Sequence, residues 1–218
     1  MSGVVSIDVH SDISCPWCFI GGRRLQRVLG ELTADIRAEV RHHPYLLHPD
    51  VPREGVNVHA RLAERYGSDP APLFGRVEAA AREEGIDLDL SRQPLAFDTA
   101  AAHTLVRHAA TFGTQSELLD ALFSAYFLDG LDVSDPDVLV RVSAPHGFDE
   151  EQVRALVGAE AELSLTRMEA ADASRRGVKG VPFFVLAGRY ALSGAQPDEV
   201  FEAAIRRAAE KIAEESAA

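Results

Sequence analysis

The sequence predicts an α/β protein: one mixed sheet covered by helices, its two halves separated by a large all-helical insertion. Three observations predict it. The first fifty residues read strand, helix, strand. The stretch from about 51 to 176 carries only helical periodicity. From Gly177 onward, two short strands joined by a tight turn precede a last helix.

The elements follow in order. Val4 to Val9 alternates apolar and polar, with Val5, Ile7 and Val9 on one face, which specifies a half-buried strand. Ser11-Asp12-Ile13-Ser14 reads as a connecting loop. Pro16 suits the first position of a helix running to about Leu32, where a missing N–H costs nothing. Gly21-Gly22 weakens that helix by about 1 kcal/mol per glycine. Ile36 to Leu47 reads as the second strand, with Pro44 marking a break or an edge. A strand–helix–strand crossover implies parallel strands. Helices are expected at 58–66, 70–85, 98–112, 115–128, 135–146, 149–157 and 159–176, with Ser134 and Asp149 as N-caps. Val181 to Leu186 and Arg189 to Leu192 form a hairpin around Ala187-Gly188, and a helix follows from Pro197 to about 215. The order β-α-β, helical block, β-β-α is the plan of a thioredoxin fold with an insertion. Residues 1–50 and 177–218 would form the thioredoxin-like domain and residues 51–176 the helical one.

Composition narrows the function. Hydrophobic residues make up 46% of the chain, enough for a full core. Lys and Arg number 22 against 34 Asp and Glu, a net charge of −12, which argues against nucleic acid or an anionic membrane as partner. The start Met1-Ser2-Gly3-Val4-Val5-Ser6 has neither a basic nor an apolar signal region, and no stretch reaches the roughly 18 apolar residues of a membrane span. The expected location is the cytoplasm. Monomer and homodimer stay open.

The chemistry concentrates in Cys15-Pro16-Trp17-Cys18, which holds the only two cysteines. A disulfide between them closes a loop too small to brace a fold, so redox exchange is the expected use. With Pro16 at the first helical position, Cys15 is the N-cap. Its sulfur would face the free N–H groups of the first turn, and the helix dipole adds roughly half a positive charge there. Both favour a thiolate, against about 8.5 for the pKa of a free thiol. Cys18, one turn deeper, would resolve a mixed disulfide formed at Cys15. A zinc site needs about four ligands. Among the histidines, His42 or His43 followed by His48 stands five or six residues apart rather than at ligand spacing, so no metal is expected. Gly180-Val181-Pro182 opens the strand after the insertion. A cis Val181–Pro182 bond there would keep an amide proton from the sulfurs and offer the Val181 backbone to an extended partner.

Together, Ser11 to Gly21, Gly177 to Phe184 and Tyr190 to Pro197 resemble the DsbA-like thioredoxin family, in its signal-less FrnE-type branch. Arg76-Val77-Glu78-Ala79 and Thr99-Ala100-Ala101-Ala102-His103 extend the resemblance through the insertion. It implies dithiol–disulfide oxidoreductase or isomerase activity on a protein or small-molecule disulfide, with Cys15 as nucleophile, Cys18 as resolving thiol and Pro182 as cis proline. Trp17, Gly180, Val181 and Phe183 are the expected substrate contacts. No cofactor is implied beyond the redox disulfide, with glutathione as a candidate co-substrate. Asp98 departs from the branch, which carries asparagine there. Kappa-class glutathione transferases and hydroxychromene-carboxylate isomerases share the plan but carry serine where this chain has Cys15. A glutathione-dependent isomerase or transferase is thus the alternative reading, and a redox-inert chaperone-like module a third.

Other residues have two readings each. Trp17 shields a sulfur at the rim of the site, or packs at a helix start. Phe19, Phe183 and Phe184 line a peptide groove, or, as Phe184 suggests, face the core. Arg23, Arg24 and Lys179 steer an anionic thiol, or are plain surface. His103, beside Leu105 and Val106, reads as a core or groove histidine rather than a base. Ser193 and Gln196 contact a ligand carboxylate, or cap the last helix.

Overall fold

The computed structural model describes residues 4–34 and 36–216; Met1 to Gly3 of the apparent start lie outside them. Strand β1 (Val4–Ser11) leads into helix α1 (Pro16–Glu31), which returns to strand β2 (Arg37–Pro44). The two strands run parallel, from Val4 opposite Arg37 to Ser11 opposite Pro44. Pro44 is the last residue of an edge strand, where the absent N–H leaves no ladder bond unmade.

Two residues, Val56–Asn57 (β3), open the helical stretch and pair antiparallel with Leu95–Ala96 (β4). Between and after them come α2 (Val58–Tyr66), α3 (Ala71–Glu83), α4 (Ala100–Ala109), α5 (Gln115–Phe127), α6 (Pro136–Ser143), α7 (Glu150–Gly158) and α8 (Glu160–Arg175). Caps set several starts. Asn57 accepts from Ala60 N, and Asp149 with Gln152 forms a reciprocal capping box. The expected cap of α6 at Ser134 is displaced by one residue: Asp135 accepts from Asp137 N at 2.8 Å, while Ser134 turns its hydroxyl back to Asp132. Asp98, despite replacing asparagine, accepts from Ala100 N at the head of α4 and pairs with Arg167 at 2.7 Å.

The chain then returns to the sheet. Strand β5 (Phe183–Leu186) lies antiparallel to β1, with Val9 opposite Phe184. Strand β6 (Tyr190–Ser193) pairs with β5, and α9 (Asp198–Ser216) ends the described chain. The sheet order is β2-β1-β5-β6. Ala187 and Gly188 both have positive φ, 51° and 65°, as the hairpin turn requires.

Two apolar cores result. Val5, Ile7 and Val9 of β1 meet Phe184 and Leu186 of β5, Leu25 and Val28 of α1, and Phe201, Ile205 and Ala208 of α9. The second core gathers α4 to α7 around Ile13, Cys15, Cys18, Phe19 and Ile20. Helix α1 therefore belongs to both: its first turn packs into the helical block and its later turns onto the sheet.

Candidate active site

Ser11 to Cys15 link β1 to α1, and one side chain organises that link. Asp12 is 1% exposed, yet its carboxylate is fully engaged. It accepts from Ser14 N at 2.9 Å, Leu47 N at 2.6 Å and Thr99 Oγ1 at 2.9 Å. His103 Nε2 lies 3.8 Å away. Burial pushes the Asp12 pKa up, but His103 and the Leu47 and Ser14 N–H groups pull it down further, so it ends below 3.8 and the group is ionised. The Asp12 carbonyl in turn accepts from Cys15 N at 3.0 Å.

Cys15 is the N-cap residue of α1, with Pro16 at the first helical position, as the sequence predicts. The expected capping by sulfur is not made. The Cys15 thiol instead donates to the Val181 carbonyl at 3.7 Å, and its own carbonyl accepts from Cys18 N at 3.0 Å and Phe19 N at 3.3 Å. Capping would need the sulfur to accept from a first-turn N–H; instead the thiol is turned toward the loop before β5, as a donor. The Val181–Pro182 peptide bond is cis. Gly21 lets that loop approach: a Cβ there would stand 3.2 Å from Pro182 Cγ and 3.4 Å from Ala195. Pro182 O also accepts from Gly194 N at 2.8 Å, which joins the loop to the end of β6.

Both cysteines are free thiols, Cys15 5% and Cys18 2% exposed. Burial pushes the Cys18 thiol well above its ordinary range. Its hydrogen bond and charge interaction with Cys15 push the same way, and the Asp12 charge adds to them. Cys18 therefore holds its proton tightly.

The remaining candidates separate. Val181 packs against the core that contains both cysteines, and Gly180 is half-buried before it. Trp17 is 37% exposed and borders a cavity of about 340 Å³ beside the cysteine turn. Phe183 lies elsewhere, in a cleft with Asp8, His10 and His43. Phe19 is core rather than groove, buried and stacked on Phe123 at 5.3 Å. Phe184 is fully buried. Arg23 is paired with Asp120 at 2.8 Å, and Arg24 with Glu84 at 2.6 Å, so neither is a free steering charge. Gln196 donates to Ser193 O at 2.6 Å within the turn before α9. His103 is buried, as its apolar neighbours suggest. The group that sequence reasoning passed over is Asp12. The signal was an acidic residue two before a serine, an Asx-turn pattern, in a loop read only as a connector.

A thioredoxin-type sheet, a helix whose N-cap is one thiol of a buried pair, and a cis-proline loop across from it define a thiol–disulfide oxidoreductase fold. A family model of the DSBA-like thioredoxin domain matches residues 6–206, and the chain belongs to that family, whose members are disulfide oxidoreductases. It is 31% identical to a probable DsbA oxidoreductase from Streptomyces coelicolor, over 94% of this chain and 89% of that one, with a TM-score of 0.84. It is 22% identical to the uncharacterized protein YwbO of Bacillus subtilis (strain 168), over 92% of this chain and 96% of that one. The cytosolic disulfide reductase DsbM of Pseudomonas aeruginosa, solved with GSH, shares the fold: 21% identity, TM-score 0.65, 93% of this chain and 98% of that one.

Proposed function

We propose that the chain is a cytoplasmic dithiol–disulfide oxidoreductase or isomerase of the FrnE type, working through a mixed disulfide at Cys15. The observation that carries this reading is the asymmetry of the pair. Cys15 sits at the head of α1 against the Val181 carbonyl, while Cys18 is deeper and holds its proton. Among the described residues, no helix is long and apolar enough to cross a membrane.

The Cys15 thiolate attacks one sulfur of a substrate disulfide. The Cys15–substrate bond forms, the substrate S–S bond breaks, and the leaving thiolate takes a proton. Cys18 then gives up its proton and attacks the Cys15 sulfur. That step releases the second substrate thiol and leaves a Cys15–Cys18 disulfide, two electrons having passed to the substrate. Run backwards, the same steps oxidise a dithiol. Gly180, Val181 and Pro182 would border an extended substrate on one side of the thiol and Trp17 on the other. Phe183 would act further along the chain of a protein substrate. Glutathione is the proposed partner that resets the pair.

Insulin reduction and scrambled-ribonuclease refolding test the reading. Cys15→Ser should abolish both activities, and Cys18→Ser should accumulate a glutathione adduct at Cys15 visible by intact mass. Full activity in Cys15→Ser would sink it. The reduction potential then assigns direction: a value near thioredoxin's, about −270 mV, marks a reductant, and a much higher one an oxidant or isomerase.

A further inference from the structure

We propose that the cavity beside Trp17 is a binding site for an organic anion with an apolar, aromatic-sized body. On the dithiol reading above, which this rests on, that group is the non-reacting half of a low-molecular-weight disulfide. At about 340 Å³ the cavity lies at the low end of small-molecule sites, roughly 300–1,000 Å³.

Its walls are mainly apolar. Leu62 of α2, Leu73, Phe74 and Val77 of α3, and Phe127 of α5 close it, with Trp17 at the edge nearest the thiols. Ser14 and Pro16 also line it, so the cavity flanks Cys15 on both sides in sequence.

Its rim carries positive charge. Arg65 and Arg76 border the opening, and among the described residues neither has a carboxylate within ion-pair distance. Elsewhere the −12 chain commonly covers its arginines: Arg24 with Glu84, Arg107 with Glu162 and Glu169, Arg167 with Asp98. Arg61 and Arg65 add positive potential at His48, a further wall residue, and the buried Asp12 carboxylate opposes them there. An acidic protein that leaves cations uncovered at the mouth of an apolar cavity selects an anion with an apolar body.

The test uses the full reduced chain at low salt and two fluorescent probes with similar aromatic bodies, anilinonaphthalene sulfonate and uncharged phenylnaphthylamine. The sulfonate should bind more tightly. In the double variant Arg65→Gln/Arg76→Gln, the ratio of the two affinities should fall about tenfold or more, the loss of charge-assisted contacts. Leu73→Trp, which fills the cavity, should displace both probes. Equal affinities in the wild type, an unchanged ratio in the double variant, or undiminished binding to Leu73→Trp would each overturn the proposal. Thiol exchange is then followed with dithiobis-nitrobenzoate, an aromatic dianion, and neutral dithiodipyridine. The double variant should lower the rate ratio of the first to the second by a similar factor, and an unchanged ratio would detach the cavity from the reaction. Probe binding requires no thiol. Intact charge-selective binding with no thiol exchange toward either disulfide would refute the dithiol reading and leave the anion site standing.

Discussion

Replacing Asp12 tests how the active-site turn is held. Its carboxylate is buried and accepts three hydrogen bonds, from Ser14 N, Leu47 N and Thr99 Oγ1. In Asp12→Asn the oxygen can keep Ser14 and Thr99, but the new amide faces the Leu47 N–H donor to donor. One charge-assisted bond to a part-buried donor is lost, about 1.5–3 kcal/mol. Asp12→Ala strands all three donors, and breaking a buried charged network of this kind costs about 3–5 kcal/mol. With a urea m-value of about 2 kcal/mol/M, the midpoint should fall by about 1 M for asparagine and about 2 M for alanine. The pH dependence follows from the depressed pKa. In the unfolded chain Asp12 titrates near 3.8, and in the fold lower. Its contribution is fully present above 3.8 and is lost only as the pH falls through the folded value. The gap between wild type and Asp12→Asn should therefore stay constant from pH 7 to pH 5. A midpoint shift under about 0.3 M would mean that the three bonds do not carry this load. A gap already closing between pH 7 and pH 5 would place the dependence on another group.

His42 has the opposite problem, a buried base. Burial, then the neighbouring His43 and His103, lower its pKa from 6.5 to about 4. Between those values the unfolded chain binds a proton that the fold refuses, so stability is full above 6.5 and declines by about 3 kcal/mol as the pH drops to 4. His42→Gln should lessen the fall of urea midpoints across that window, with His10, also lowered to about 4, keeping part of it, and curves parallel to wild type would refute the assignment. Gly130→Ala would put a Cβ 2.6 Å from Arg92 O at a φ of +65°, so thermal unfolding should show a loss of about 2–4 kcal/mol. Ala187, at φ 51°, carries the opposite mismatch, and Ala187→Gly should raise stability by about 0.5–1 kcal/mol in the same assay.

Much of this architecture could be read from the sequence where local chemistry and global fold agree. The alternation of Val5, Ile7 and Val9 marked β1, and residues 58–66 are the helix that the periodicity gave, bounded by Asn57 and Gly67. The pairing of Val56–Asn57 with Leu95–Ala96 was not legible, because two residues carry no period. Ser134 and Asp135 are both good caps, and Asp135 takes the role while Ser134 bonds back to Asp132. At the site, Cys15, Cys18 and the Val181–Pro182 loop were visible as motifs. The acceptor that Cys15 uses was not, since it comes from residue 181 across the insertion. Asp12 was hidden for the same reason: of its partners only Ser14 is local, while Leu47 and Thr99 arrive from other elements.

The sharing of α1 between two cores makes thiol chemistry a readout of local stability. The turn bearing Cys15 and Cys18 is sealed by the helical block, while the rest of the helix is clamped to the sheet. Any opening that parts the block from the sheet must peel that first turn or fray the block around it. The rate at which a bulky alkylating reagent reaches Cys18 therefore reports how often the two layers separate. Core substitutions far from the sulfurs, at Leu105 or Leu122, become substitutions in the lock of the redox pair.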